Sequence, residues 1–549
     1  GNIDEVSIWN VAQTQEQIQD YMYDEVSGTE PGLLGFWNFN DGEGSTLTDL
    51  SGNENDGTIY GANWSDDVMQ PPYTGPEWYV STEGSDDNNG SYEYPFSSVQ
   101  RAVGAANDHD LVEIFPGEYF ENVVINKNIH IGGNNEDGDI TINGDRNGSV
   151  FTIDSDSDSL SVQFFGIRII DGRSEKGGGI FARNAYVEMH GCQVLNNQTA
   201  GEGSQGGGVY ALHSTMTLFS SEVENNNAND FPGYGGGIYA ENSLVHLYDN
   251  SWIYNNSSDV SGGGFYATGS GTYIEMHNSN VTDNWCQQKG GGLYLTDSSH
   301  VYFIETNIRG NDAFAQGGGV YLENNSELVA HENTVISGNK TTHDCFTEQG
   351  SQGAGLYVSQ SSVEYNGGYI WGNSSADAGG AMFVTNGSNV NLSYIGMDTN
   401  QSAEVGGGEN TIGGAVGIVF DSEVNIDHCT VLLNSSSSGG VGGLYSENSN
   451  INISNSIFWE NPGEWDSESG QLIGSGYNVI FSDIQGGYPG EGNIDVDPIF
   501  CNTSSYNLAE NSPLIGAAQD GGDIGYAGVD CEPIYNDHIE SVEIYVSGN

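Results

Sequence analysis

The chain has 549 residues, and its 76 Asp and Glu against 10 Lys and Arg leave a formal net charge of −66. That balance argues against nucleic acid and anionic membrane surfaces as partners, because neutralising phosphate requires Lys and Arg, and no run of about 20 apolar residues offers a membrane span. The acidity suits an extracellular or cell-surface protein kept soluble in salt water, where counterions screen repulsion within about 10 Å.

Six cysteines in so long a chain make no dense disulfide scaffold, and their spacing shows no CxxC or Cys/His set for zinc or iron–sulfur. Cys501 and Cys531 are the candidate disulfide, with two buried free thiols as the alternative. The chain starts at Gly1 within a strand-like pattern and without a signal peptide, which reads as a fragment or a processed product.

From Asn2 to Trp9 apolar residues alternate, and Thr14 to Val26 reads as a short helix opened by a Thr14/Gln17 capping box. Gly32 to Trp64 interleaves aromatic strands with Gly/Asn/Asp turns, as an antiparallel sandwich requires. The segments IDEVSIWN, FWNFNDGEGSTLTDLSGNENDGT and GANW resemble the C-terminal part of a laminin-G/concanavalin-like jelly roll. That resemblance implies a glycan- or surface-binding module over residues 1–64. A proline-bearing linker is expected over 65–77.

Residues 78–133 give a strand, an Asp/Asn/Gly turn, an amphipathic helix at about Ser97 to Ala106 and further strands. This order resembles the N-terminal cap of pectate-lyase-like β-helices, where a helix covers the open end of the first coil.

Over 134–531 a repeat of roughly 29 residues takes over, the signature of a solenoid. Glycine clusters begin at Gly177, Gly206, Gly235, Gly262, Gly290, Gly317, Gly353, Gly379, Gly413 and Gly442. A second column holds Asn197, Asn226, Asn256, Asn284, Asn311, Asn339, Asn373, Asn400, Asn434 and Asn461. Asparagine tolerates the left-handed turn conformation, and its stacked amides can form a ladder. Between the columns the pattern alternates, so that Val245, Leu247 and Ile253 face the core and each coil is three short strands. The expected fold is all-β: a right-handed parallel β-helix, capped at its ends, plus a partial β-sandwich. The glycine and asparagine columns and the ending DVDPIFCNTSSYNLAENSPLIGAAQDGGDIGYAGVDC resemble polymorphic-outer-membrane-protein repeats. That family is mostly adhesive or surface-exposed. Residues 532–549 read as the start of a further segment.

Chemistry is harder to place. Polysaccharide lyases on this fold use a Lys or Arg base beside carboxylates that hold Ca²⁺. Arg168, Arg173, Lys176 and Arg183 cluster in sequence with Asp171, and would form a cationic patch on one face; salt bridges in an acidic surface are the alternative. Hydrolysis would need paired carboxylates, for which candidates are too many to discriminate. Asp154, Asp156 and Asp158 space three carboxylates as an oxygen-rich Ca²⁺ loop does, or as a solvated turn. No cofactor is required on this reading.

An aromatic follows the core aliphatic in most glycine clusters: Phe181, Tyr210, Tyr239, Tyr266, Tyr294, Tyr321, Tyr357, Phe383 and Tyr445. Alternation puts this column outside, where Tyr210, Tyr239, Tyr266, Tyr294, Tyr321 and Tyr357 are glycan-contact candidates, although stacked rings also stabilise a rod without ligand. Longer insertions near Gly353 and Gly413 mark a face where solenoids place function. The sequons at Asn256, Asn373, Asn386, Asn434 and Asn452 are read as structural. The sequence thus supports an adhesive or scaffolding rod that contacts polysaccharide or cell-surface glycan, with self-association as a further role. The rival is a secreted lyase or hydrolase with an appended lectin-like domain.

Overall fold

The computed structural model describes residues 3–21, 26–64, 72–133, 138–156, 159–342, 350–403, 413–437, 440–463, 471–502 and 506–535. The expected start of a further segment falls largely outside them, as do most of the linker and most of the two long insertions.

In the N-terminal unit the strands Val6–Trp9 and Leu33–Trp37 pair antiparallel, as do Thr46–Leu47 and Gly57–Thr58. The predicted helix is shorter than the pattern suggested, Gln15–Asp20, and its Thr14/Gln17 capping box is formed. The turn motif around Asp49 has a physical reason. Its buried carboxylate accepts the backbone N–H groups of Phe36, Ser51 and Asn55 at 2.8–3.0 Å. Burial works against that charge, but the bonds outweigh it and hold the carboxyl down at about 2. Four short strands in two pairs do not complete a jelly roll, so the lectin-like identity stays a resemblance of sequence.

The β-helix begins with its cap. The helix Val99–Ala105, capped by Ser98, lays Val99, Ala102 and Val103 over the first coil. Its first N–H groups, at Val99 and Gln100, are taken by Glu121 at 2.7 and 2.9 Å. Helix termini leave such donors unsatisfied unless a side chain answers them.

Beyond the cap, parallel strands stack in three sheets of 26, 13 and 10 strands among the described residues. One coil reads Ile238–Glu241 in the 13-stranded sheet, Leu244–Tyr248 and Trp252–Tyr254 in the 26-stranded sheet, and Ser257–Ser258 in the 10-stranded sheet. Most coils therefore carry four strand segments rather than the three expected. The extra segment arises where the largest sheet bends within each coil; in Ser362–Trp371 and Asn389–Asp398 the two segments run together. Val245, Leu247 and Ile253 are fully buried, as their alternation requires.

Each glycine of a cluster answers a separate constraint. At Gly262 φ is +69°, and a Cβ would lie 2.2 Å from the carbonyl oxygen of Phe265; at Gly263 and Gly264 it would meet the next coil's Gly291 and Gly292 oxygens at 2.5 and 2.6 Å. The first glycine makes the corner, and the other two let neighbouring coils approach.

The asparagine ladder is continuous. Oδ1 of Asn284 accepts both the backbone N–H and Nδ2 of Asn256 at 3.0 Å, while its own Nδ2 donates to Ile253 O and Asn311 Oδ1. The pattern repeats from Asn197 to Asn461, which ends the run on Gln471 Oε1. The explanation by left-handed backbone needs correcting. The positive φ falls one residue earlier, on Asn196, Asn225, Asn255, Asp283, Gly310 and their successors. The column asparagines are chosen for their amides: each Oδ1 accepts from the backbone and the amide of the preceding asparagine, and each Nδ2 donates to a backbone carbonyl and to the next amide in register. Of the sequons, Asn256, Asn373 and Asn434 are buried in this ladder, whereas Asn386 and Asn452 are exposed.

Cys501 and Cys531 are bonded, and Cys192, Cys286 and Cys429 are free and buried. The bridge ties down a closing segment whose Leu508, Leu514, Ala518 and Ile524 pack on the outer side chain Ile457.

Candidate functional site

The basic residues adjacent in sequence are separated in space. Arg168 lies in the 26-stranded sheet, Arg173 in the 10-stranded sheet and Arg183 in the 13-stranded sheet, because one coil passes through all three faces. Arg168 Nη1 is 3.0 Å from Asp139 Oδ2, and the Lys176 ammonium sits 4.8 Å from the centre of the Tyr210 ring. Asp171 is a turn residue with φ +51°. No cationic patch forms from this set.

In the Asp run, the Arg183 guanidinium bonds both carboxylate oxygens of Asp154 and reaches Asp156 at 3.1 Å; Asp158 lies outside the described residues. A calcium ion here would have to displace Arg183.

The tyrosine column needs a correction of exposure. From Phe181 to Phe383 the rings stack face to face with centroids 4.8–5.6 Å apart. Tyr210, Tyr239, Tyr294, Tyr321 and Tyr357 are at most 7% exposed, and Tyr266 is half-buried. Their phenols titrate high because burial disfavours the phenolate, Tyr357 at about 12. Alternation placed them on the outer side of the strand correctly. The rings nevertheless lie flat against one another and over the preceding glycine corner, with the Tyr321 Cβ just 2.7 Å from where a Cβ on Gly317 would be. From Tyr210 to Tyr357 each ring is stacked between two others.

The outer face of the largest sheet offers more. Its bend is made by Gly166, Gly191, Ser220, Asn250 and Asn278, all with positive φ. Inside the bend Ser221, Ser251 and Thr306 turn their hydroxyls onto backbone carbonyls of the preceding coil. Outside it runs a shallow groove parallel to the rod axis, with a cavity of about 160 Å³ that spans four successive coils, lined by Asp139, Arg168, Gln193 and Glu222 together with the bend residues Gly166, Gly191 and Ser220.

Along the wall before the bend, six of the 11 histidines project outward and are half-exposed: His130, His190, His246, His277, His300 and His331. Phe165, Phe219, Tyr248 and Tyr302 continue the row between them. Up to Tyr248 these rings stack within 27° of parallel; from Tyr248 to His331 they tilt by 46–60°. Where they tilt, carboxylates hold the imidazoles. Glu275 Oε2 is 3.2 Å from His246 Nδ1 and Glu275 Oε1 is 2.7 Å from His277 Nε2; Glu327 is 2.9 Å from His300. Neighbouring amides do the same at Glu188 (Gln163 Nε2, 2.7 Å) and at Glu222 (Gln193 Nε2, 2.8 Å).

The same groove is covered further along. Gly525 N donates to Asn455 O, Gln519 N to Asn455 Oδ1 and Tyr526 N to Thr430 Oγ1, while the Tyr526 ring meets Tyr369 edge-on at 5.5 Å. Thr430 and Ile457, outer residues of the sheet, are thereby 1% exposed.

The chain matches the family described as right-handed β-helix region over residues 178–345, 220–392 and 291–484, overlapping registers of one repeat, and it belongs to that family. No curated protein matches it in sequence. Among solved structures it is similar to pectate lyase Pel9A, with 14% identity over 84% of this chain and 98% of that one and a TM-score of 0.34. It is similar also to XylC in complex with xylose, with 10% identity, coverage of 78% and 88% and a TM-score of 0.30. A third is a rhamnogalacturonan lyase, with 11% identity, coverage of 78% and 91% and a TM-score of 0.19. At those scores the likenesses carry no argument about a site.

Proposed function

We propose that the protein is an extracellular β-helix rod that holds an extended glycan along the open part of the outer groove. The observation that carries this reading is the half-exposed row of rings from His130 to His331, one per coil at about the 4.8 Å parallel-strand spacing, with a hydrogen-bonding edge in every coil but those of Phe165 and Phe219. Repeating polar groups at a fixed pitch complement a repeating polymer. The covered part of the groove adds support, since backbone N–H groups of the closing segment already bond to its outer residues. The disulfide fits an oxidising compartment.

A second reading, a carbohydrate-active enzyme, draws on one observation: Glu275 orients two imidazoles, an arrangement suited to proton transfer. One experiment addresses both. The purified chain is incubated with a panel of polysaccharides while retention, new reducing ends and unsaturated products are followed. Retention without turnover supports the binding rod. Turnover lost in His277→Ala makes the protein an enzyme, and absence of both removes the glycan reading.

A further inference from the structure

We infer that the open groove selects uncharged, hydroxyl-rich glycans and rejects polyuronates; this rests on the glycan reading above and names its ligand class. The groove holds little fixed positive charge. Arg168 is already bonded to Asp139, and Arg309 stands at the margin of the facing strand. Against them Glu188, Glu222, Glu275 and Glu327 face outward, and the whole chain adds its net charge of −66.

The carboxylates are placed as acceptors. A carboxylate takes about four hydrogen bonds. Glu188 receives one from Gln163, and Glu222 one from Gln193 and one from Tyr254 at 3.3 Å. Glu188, with His190 Nε2 also 3.5 Å away, and Glu222 are both half-exposed, so each keeps acceptor capacity for sugar hydroxyls. A uronate would bring a second carboxylate to each of them, with repulsion repeated along the rod and only Arg168 and Arg309 to offset it. The half-exposed amides of Gln163, Gln193 and Asn307 supply donors suited to ring and hydroxyl oxygens. Asn307 Nδ2 already bonds Asn280 Oδ1 at 3.0 Å, which holds both amides in one orientation along the axis.

The test is affinity electrophoresis of the full chain, with chelator present, through neutral β-glucan, mannan and xyloglucan, through polygalacturonate and alginate, and through chitosan. Retention by at least one neutral polymer, at least tenfold tighter than by either polyuronate and nearly independent of salt, is the expected result. Tighter retention by a polyuronate overturns the inference and leaves the glycan reading standing. So does tighter retention by chitosan, which would make the carboxylates a site for cationic amines. Silence on every polymer overturns the glycan reading and the inference with it. A triple variant, Glu188→Gln, Glu222→Gln and Glu275→Gln, should narrow the neutral-to-polyuronate ratio by about tenfold; an unchanged ratio in a variant that melts normally also overturns it.

Discussion

The open and covered parts of the groove have the same spine and different surfaces. In coils from Arg168 to His331 the outer face of the largest sheet carries histidine, tyrosine, glutamate and amides in half-exposed positions. In coils from Tyr369 to Ile457 the column beyond the bend, which carries Gln193, Glu222 and Asn307 in the open part, continues as Gly396, Thr430 and Ile457, small or apolar residues that the closing segment buries, while the histidine column continues as Asn366, Ser393 and Asp427. Behind both, the asparagine ladder and the apolar rungs run on unchanged. Stability in this rod is therefore a property of the inner columns, and what the outer columns do is free to change from coil to coil.

That separation is sharpest if the ladder is cut once in each part. Asn284→Ala and Asn434→Ala each orphan two buried donors of the preceding asparagine, at a cost of about 1–3 kcal/mol per group, or roughly 2–6 kcal/mol in all. The two variants should lose denaturant stability equally. A difference well beyond the error of measurement would mean that the closing segment stabilises the coils it covers, and that the two parts do not share one spine.

Buried carboxylates distinguish the parts by pH. Asp483, fully buried in the closing coils, is pushed up to about 7 by burial, with one oxygen accepting Val496 N at 3.1 Å. Its native form binds a proton that the unfolded chain, with its carboxyl near 3.9, has lost. Stability is therefore greatest at low pH in this respect, falls as pH rises from about 4 to about 7, and stays low above that. Asp483→Asn should gain on the wild type through that window, by at most about 4 kcal/mol at pH 8 and by nothing near pH 4. Asp312, in the coils beneath the open groove, is raised by burial to about 6 with Lys340 opposing, so its variant should show the same sign over a narrower window and a smaller gain. Melting curves at three pH values decide both.

Removing the bridge acts on the covered part alone. Replacing Cys501 and Cys531 by Ser frees a loop closed across a separation of 30 residues, worth about 3–4 kcal/mol in the chain-entropy account. Proteolysis should then cut residues 506–535 while the coils before His331 stay protected. Loss of protection throughout would show that the closing segment holds the whole rod.

The inner columns were legible in the sequence, and the outer surface was not, for one reason. Gly262 to Gly264 and Asn284 satisfy contacts repeated in every coil, so their identity recurs and can be read without knowing the register. His246, Glu275, His300 and Glu327 meet only their neighbours, and nothing recurs. Their signal was present as polar and aromatic residues two apart in consecutive strands, HLY, YIEMH, HVYFI and ELVAH, and it becomes visible once His246 is known to pair with Glu275 and His300 with Glu327. The tyrosines misled in the opposite way. Their recurrence placed them on one side of the strand, but exposure depends on how the ring lies across the glycine corner. Tyr526 on Tyr369 spans 157 residues, and no local pattern announces such a contact.

That contact gives the finest test of the comparison. The Tyr526 hydroxyl lies 3.3 Å from that of Tyr369, its ring meets the other edge-on, and its backbone N–H is held by Thr430. Burial raises its phenol, beside Tyr369 and Asp398. Aromatic pairs of this geometry contribute about 0.5–1.5 kcal/mol beyond area, so Tyr526→Ala should loosen the closing segment by about 1 kcal/mol and leave global melting nearly unchanged. Amide exchange at Gln519 and Gly525, whose N–H groups bond Asn455, should quicken about fivefold while the ladder residues do not change. If the covered coils lack binding groups of their own, glycan retention stays as it was even with the segment loosened; a gain in retention would mean that the closing segment competes with the ligand for one continuous groove.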